Sequence, residues 1–277
     1  MQNLLAALGT DDIRQRPFPH IDQAGILPAD LYAELSDTFP APELIMAGRA
    51  TVPENAALRL SSKTVLRHPS ISPIWKDFFE LHVSPVHWHQ IIGLFGDVIR
   101  ATHPGLEDRF NKPLADFSVG LRGDGGKADI RLECQFVINT PTSGNSSVKT
   151  PHVDKRQTVF AGLFYMRDPW DRAGGGELEL YHWRRPPRFL PYRMILPDDV
   201  ERIATIPYSE NRLACFINSP LTVHGVSPRG PANEVRRYIN LVAEVGHHLF
   251  RTKLVSLPAG ISNWREIRAI RRQKIAA

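Results

Sequence analysis

Thr150-Pro151-His152-Val153-Asp154 sets an imidazole and a carboxylate two positions apart, and side chains two apart on an extended strand project from the same face. About seventy residues further on, Val223-His224-Gly225 offers a second imidazole from another strand-like run. Two histidines and one carboxylate can grip one side of a metal ion and leave its other side open to small molecules. His-x-Asp by itself is a frequent accident, and a lone histidine is more often a satisfied core or surface residue. The setting between strand-like runs gives the combination its weight.

Those runs read as follows. Ile130-Arg131-Leu132-Glu133-Cys134-Gln135-Phe136-Val137-Ile138 alternates, with Ile130, Leu132, Cys134, Phe136 and Ile138 on one face. A polar loop from Thr140 to Thr150 leads into the His-x-Asp segment. Phe160 to Met166 is a buried strand, and Gly174-Gly175-Gly176 turns into Glu177-Leu178-Glu179-Leu180-Tyr181. Asn211 to Ile217 and Val235 to Val245 are further strands. Short strands punctuated by Gly, Pro, Ser and Asn predict a mainly β fold with a jelly-roll core over 114–250. Residues 1–113 read as a helix-rich layer. Pro28 opens a helix carrying Leu31, Leu35 and Phe39, and Ser84-Pro85 opens another with an apolar stripe from Trp88 to Ile99. His87 and His89 fall in that second helix and, two apart, face away from each other. Residues 41–70, punctuated by Arg49, Arg59 and Lys63, show little periodicity and read as a surface loop, with a cover over a substrate pocket as the functional alternative. After Pro258, Ser262 caps a final basic helix within 251–277. Nothing marks a linker, so 1–277 reads as a single domain.

The composition is that of a soluble globular chain: 277 residues, 42% hydrophobic and 23% charged. No apolar run approaches the roughly 20 residues that cross a bilayer. The first residues lack a basic leader and a cleavage site, so a cytoplasmic protein is expected. Cys134 and Cys215 lie in apolar runs and read as reduced core thiols. A net charge of +5 suits an anionic substrate or nucleic acid. The positive residues are scattered, however, and the one dense cluster (Arg265, Arg268, Arg271, Arg272, Lys274) reads as a solvated helix face rather than a nucleic-acid surface. No feature fixes the oligomeric state.

Taken in order, the blocks from about 129 to 245 resemble the Fe(II)/2-oxoglutarate-dependent dioxygenase superfamily, in its prolyl-hydroxylase-like branch. They are His152-Val153-Asp154, Leu163-Phe164-Tyr165-Met166, Asp168-Pro169-Trp170-Asp171, Gly174-Gly175-Gly176-Glu177-Leu178, Arg212-Leu213-Ala214-Cys215-Phe216, His224-Gly225-Val226-Ser227-Pro228 and Arg237-Tyr238. The resemblance implies a double-stranded β-helix of the cupin-like kind, with Fe(II) held by His152, Asp154 and His224, and 2-oxoglutarate and dioxygen as co-substrates. It also implies a basic residue beyond the distal histidine that binds the far carboxylate of 2-oxoglutarate, for which a planar guanidinium is suited. Arg229, Arg236 and Arg237 are the candidates. Arg237-Tyr238-Ile239 matches the family pattern best and aligns Arg237 with Ile239, Leu241 and Ala243; a register shift by one selects Arg236.

The chain departs from the pattern in a long gap through Gly230-Pro231-Ala232-Asn233, in Phe164 where a hydrogen-bonding tyrosine is common, and in Ile239 for a smaller residue. Asn139 or Gln135 is a candidate for a further co-substrate contact, while Tyr165 and Trp170 read as packing residues. The implied activity is hydroxylation of a small molecule, amino acid, peptide or sugar-containing substrate. Protein side-chain hydroxylation, a cupin-type metalloenzyme without 2-oxoglutarate and a non-catalytic binding module are the alternatives. The prime substrate is left to the loops at 41–70, 140–150 and 184–200.

Overall fold

The computed structural model describes residues 1–49, 51–185, 187 and 195–252. In chain order they form β1 (His20–Ala24), α1 (Ala29–Asp37), α2 (Pro42–Met46), β2 (Ala57–Ser61), α3 (Ser62–Val65), α4 (Pro73–His82), α5 (Pro85–Thr102), α6 (Leu106–Phe110), β3 (Val119–Leu121), β4 (Ile130–Asn139), β5 (Thr158–Tyr165), β6 (Leu178–Trp183), β7 (Val200–Ile206), β8 (Arg212–Ile217), β9 (Val223–Val226) and β10 (Arg236–Val245). One seven-stranded sheet runs β1-β8-β5-β10-β4-β2, antiparallel throughout, with β3 lying parallel to β4. β2 and β3 share one edge of β4 end to end, the first along residues 135–139 and the second along 130–132. A second, three-stranded sheet runs β7-β6-β9.

The alternation read from the sequence decides which side of the large sheet faces what. Ile130, Leu132, Cys134, Phe136 and Ile138 of β4, with Ile239, Leu241 and Ala243 of β10, pack against Trp75, Phe78 and Phe79 of α4 and against Trp88, Ile91 and Phe95 of α5. Complete burial of each such side chain stabilises by roughly 1.5–3 kcal/mol. The buried indoles are also satisfied: Trp75 Nε1 donates to Leu35 O at 3.1 Å and Trp88 Nε1 to Leu114 O at 2.8 Å. On the opposite side, Val137, Ala161, Tyr165, Phe216 and Tyr238 meet Leu178 and Leu180 of β6 and Ile206 of β7, forming a second core between the sheets. Both faces of the large sheet are therefore covered, one by helices and one by the small sheet.

α5 begins at Pro85 with Ser84 at its N-cap position, but Ser84 Oγ donates to Leu81 O at 2.7 Å and closes the preceding turn instead of capping the helix. Residues 41–70 differ from the loop read in the sequence. They hold α2, β2 and α3, and Leu58 and Leu60 are buried against the helical side. β2 is five residues long and alternates over just two buried positions, too few to register as a period. The first residues are tied down as well: Leu4 N–H donates to His82 Nε2 at 3.1 Å, and Asn3 pairs with His87 at 3.0 Å. His89 is exposed and bonded to Pro85 O. Cys134 and Cys215 are buried free thiols. Trp170, expected to pack, is 76% exposed. Among the described residues no helix is long and apolar enough to cross a membrane. The final basic helix, its arginine cluster and part of the 184–200 loop lie outside the described residues.

Candidate active site

His224 sits on β9, and the His152 backbone pairs with it directly. His152 N donates to His224 O at 2.9 Å and His224 N donates to His152 O at 3.0 Å. The His-x-Asp segment thereby adds itself to the edge of the small sheet. Gly225 permits the approach: a Cβ there would stand 3.1 Å from Pro151 N and 3.2 Å from the Thr150 carbonyl carbon. The pairing carries one imidazole to the other, with ring centroids 4.3 Å apart. Asp154 follows two residues later, its Oδ1 3.6 Å from His152 Nε2 and its Oδ2 3.6 Å from His224 Nε2. One donor atom from each of the three residues lies within 4.8 Å of the others.

The orientation of each ring is set by backbone. His152 Nδ1 donates to Thr150 O at 2.8 Å and His224 Nδ1 to Thr222 O at 3.1 Å. A carbonyl accepts, so each Nδ1 carries the proton and each Nε2 turns a lone pair inward, as metal-binding histidines do. His152 Nε2 is buried without a hydrogen-bond partner. Burial, then the neighbouring His152, pushes the His224 imidazole down to about 3, so it is neutral at neutral pH. Lys149 Nζ lies 3.3 Å from Asp154 Oδ1, so a cation stands beside this carboxylate. Two lone pairs and an anionic oxygen thus converge on one point. Such an acceptor-only cluster is unfavourable by itself and fits a divalent cation with nitrogen and oxygen preferences, Fe(II) among them.

The three arginines singled out in the sequence have different surroundings. Arg229 is buried and paired with Asp171 at 3.2 Å. Arg237 points to the helical side: it bonds Met166 O at 2.7 Å and Ser36 Oγ at 2.8 Å, pairs with Asp168 at 3.3 Å and lies over the Phe39 ring. It shares its face with Ile239 and Leu241 and does not approach the metal donors. Arg236 points the other way, into the space between the sheets. It is 2% exposed, donates to Gly176 O at 3.1 Å and Asn139 Oδ1 at 3.2 Å, and sits 4.5–5.0 Å from the ring centres of Tyr208, Tyr238 and Tyr165. No carboxylate among the described residues pairs with it. Burial pushes Tyr165 and Tyr208 up to about 12, so these phenols are neutral and bring no counter-charge. Asn139 Nδ2 and Tyr165 OH are buried without partners beside it. A desolvated guanidinium among neutral groups with spare donors is costly unless an anion completes it.

A cavity of about 940 Å³ is lined by His152, Asp154 and His224 and by Gln135, Tyr238 and Asn240 of the large sheet. Asn240 donates to Gln135 Oε1 at 3.2 Å. Tyr238 lines this cavity on one side and touches Arg236 on the other. Tyr238 is not legible as a cavity residue from apolar patterning, since an aromatic in a strand reads as packing. The signal that could reveal it is the polar alternation Arg236, Tyr238, Asn240, Glu244 on an otherwise buried strand.

No protein-family model and no curated protein matches the sequence. Solved structures do. A prolyl 4-hydroxylase from Phytophthora capsici shares 12% identity, with 91% of this chain and 68% of that one covered and a TM-score of 0.51. A prolyl-4-hydroxylase from Pseudomonas putida is 14% identical over 88% of this chain and 100% of that one, at a TM-score of 0.46. The α-ketoglutarate-dependent carbocyclase SnoK of nogalamycin biosynthesis is 11% identical over 86% of each chain, at 0.48. The chain thus has the fold of the Phytophthora capsici prolyl 4-hydroxylase, with a histidine–aspartate–histidine cluster set within it.

Proposed function

We propose that the protein is a non-haem Fe(II)- and 2-oxoglutarate-dependent oxygenase that hydroxylates its substrate. The reading includes a double-stranded β-helix made of β4, β10, β5 and β8 on one side and β7, β6, β9 and the His152 segment on the other. The observation that carries it is the pairing of two complementary sites between the same sheets: an acceptor-only triad for a cation, and a buried Arg236 with no carboxylate partner among the described residues. The fold shared with the Phytophthora capsici prolyl 4-hydroxylase is in keeping with this class.

Ferrous iron bound there, with 2-oxoglutarate and dioxygen, supplies oxidative decarboxylation to succinate and carbon dioxide coupled to oxidation of a substrate C–H bond. His152, Asp154 and His224 hold the iron from one side, and Thr150 O and Thr222 O keep the two imidazoles in the binding tautomer. Arg236 receives the far carboxylate of 2-oxoglutarate through parallel N–H donors, with Asn139 Nδ2 and Tyr165 OH as further donors. Tyr238 lines the cavity and lies against the guanidinium, so it would contact a co-substrate that spans the two. Leu178, Phe216 and Val226 in the cavity wall exclude water from the reacting side.

Succinate release by the purified protein tests the reading. It is expected to require both Fe(II) and 2-oxoglutarate, and to be lost in His152→Ala. Release that persists in that variant rejects the assignment.

A further inference from the structure

The walls of the cavity above the metal donors carry an unbalanced charge. Arg59, Arg122, Lys149, Lys155 and Arg156 line it, against the carboxylates of Asp154 and Glu244. Arg122 is matched by Glu244 at 3.7 Å and Lys149 by Asp154 at 3.3 Å. Arg59, Lys155 and Arg156 have no carboxylate partner among the described residues. The sequence outside the described residues holds one side-chain carboxylate, Glu266, so little counter-charge exists there to supply.

Arg59 and Lys155 are exposed and Arg156 is half-buried, and all three line one cavity. Arg59 stands opposite Val137 in the β2–β4 register, and cross-strand partners share a face, so it belongs to the inner side while Leu58 and Leu60 point to the helices. Lys155 and Arg156 follow Asp154 directly and line the same cavity. Positive groups therefore reach the cavity from β2 and from the segment after Asp154, and Leu163 and Phe216 are among its apolar lining. A cleft lined by one sign of charge with low-dielectric walls concentrates the field and raises the local concentration of the opposite ion. Arg236, which holds 2-oxoglutarate in the proposed function, is not among these cavity-lining cations.

We propose that the prime substrate is a small polyanion, a molecule with at least two carboxylate or phosphate groups, gripped by Arg59, Lys155 and Arg156 while its C–H bond faces the metal donors. This rests on the oxygenase reading of the site.

Calorimetric titration of the full chain, loaded with Zn(II) and saturated with 2-oxoglutarate, tests it with two probes. Tricarballylate offers carboxylates and fructose 1,6-bisphosphate offers phosphates; mannitol is the neutral control. At least one anionic probe is expected to bind, and which one binds tells the two chemistries apart. Affinity should fall roughly tenfold or more in Arg59→Gln/Lys155→Gln/Arg156→Gln and also between about 0.02 M and about 0.3 M salt. No binding of either probe, or equal binding in the triple variant, overturns the proposal. Zn(II) and 2-oxoglutarate are titrated first in the same protein. Failure there rejects the oxygenase reading, whereas their normal binding with an indifferent rim rejects the polyanion alone.

Discussion

Exchanging the two adjacent arginines of β10 for methionine, one at a time, should produce opposite phenotypes. Arg236 has neutral partners: two oxygen acceptors at 3.1 and 3.2 Å and three aromatic rings within 5.0 Å. If it receives a carboxylate, removing two charge-assisted hydrogen bonds at roughly 1.5 kcal/mol each costs about 3 kcal/mol, or about a hundredfold in 2-oxoglutarate affinity. Without ligand the same change removes a buried charge that lacks a counter-ion and leaves an apolar side chain of similar length. The melting temperature of the metal-free protein should therefore stay level or rise. Arg237 is the reverse case. Its carboxylate at 3.3 Å and its bonds to Met166 O and Ser36 Oγ tie β10 to the following loop and to α1, so Arg237→Met should lower stability by about 1–3 kcal/mol. Co-substrate affinity should not change. Calorimetry with 2-oxoglutarate on the Zn(II)-loaded proteins, beside thermal melts of the metal-free ones, reads both quantities. Loss of 2-oxoglutarate binding in Arg237→Met with retention in Arg236→Met would refute the reasoning.

Two further outcomes follow from the scaffold. Burial lowers His82 and His103 from 6.5 to about 4; the unfolded chain therefore takes up protons first as pH falls, and the stability that each contributes is complete above about pH 6.5 and lost as pH drops to about 4, about 3 kcal/mol apiece. Denaturant melts between those values should show stability declining with acid, and a flat profile would contradict the buried neutral assignment. Gly175 has φ +81°, and a Cβ there would lie 1.9 Å from Pro228 O, so Gly175→Ala should cost about 3 kcal/mol or more. It should weaken 2-oxoglutarate binding as well, because the neighbouring Gly176 O holds Arg236; an unchanged melting temperature would show that the loop yields freely.

The sequence made the β framework legible wherever alternation ran long enough. β4 and β10 each carry ten residues, and their apolar faces were read correctly as Ile130 to Ile138 and Ile239 to Ala243. The difficulty lay in deciding what each face meets. The apolar side of β10 was matched to the site, which drew in Arg237, Ile239 and, on β5, Phe164. That side packs under α4 and α5, and the face that carries Arg236, Tyr238 and Tyr165, one residue out of step, turns to the space between the sheets. Periodicity assigns residues to faces but does not name the layer that covers each one, and a sheet buried on both sides removes the usual polar-out clue. The His152, Asp154 and His224 cluster was legible because residue type and spacing carry the chemistry themselves. β2 was not, since five residues between two short helices leave no period to detect. The cationic rim is a product of topology, with Arg59 and Lys155 almost a hundred positions apart in the chain.

The central claim is that His152, Asp154 and His224 hold ferrous iron with its open side toward a 2-oxo acid. Anaerobic addition of Fe(II) and then 2-oxoglutarate to the purified protein measures this most directly through visible absorption. The wild type should develop a charge-transfer band that saturates at one equivalent of iron, and His152→Ala and His224→Ala should not. No band in the wild type, or the same band in either variant, contradicts it.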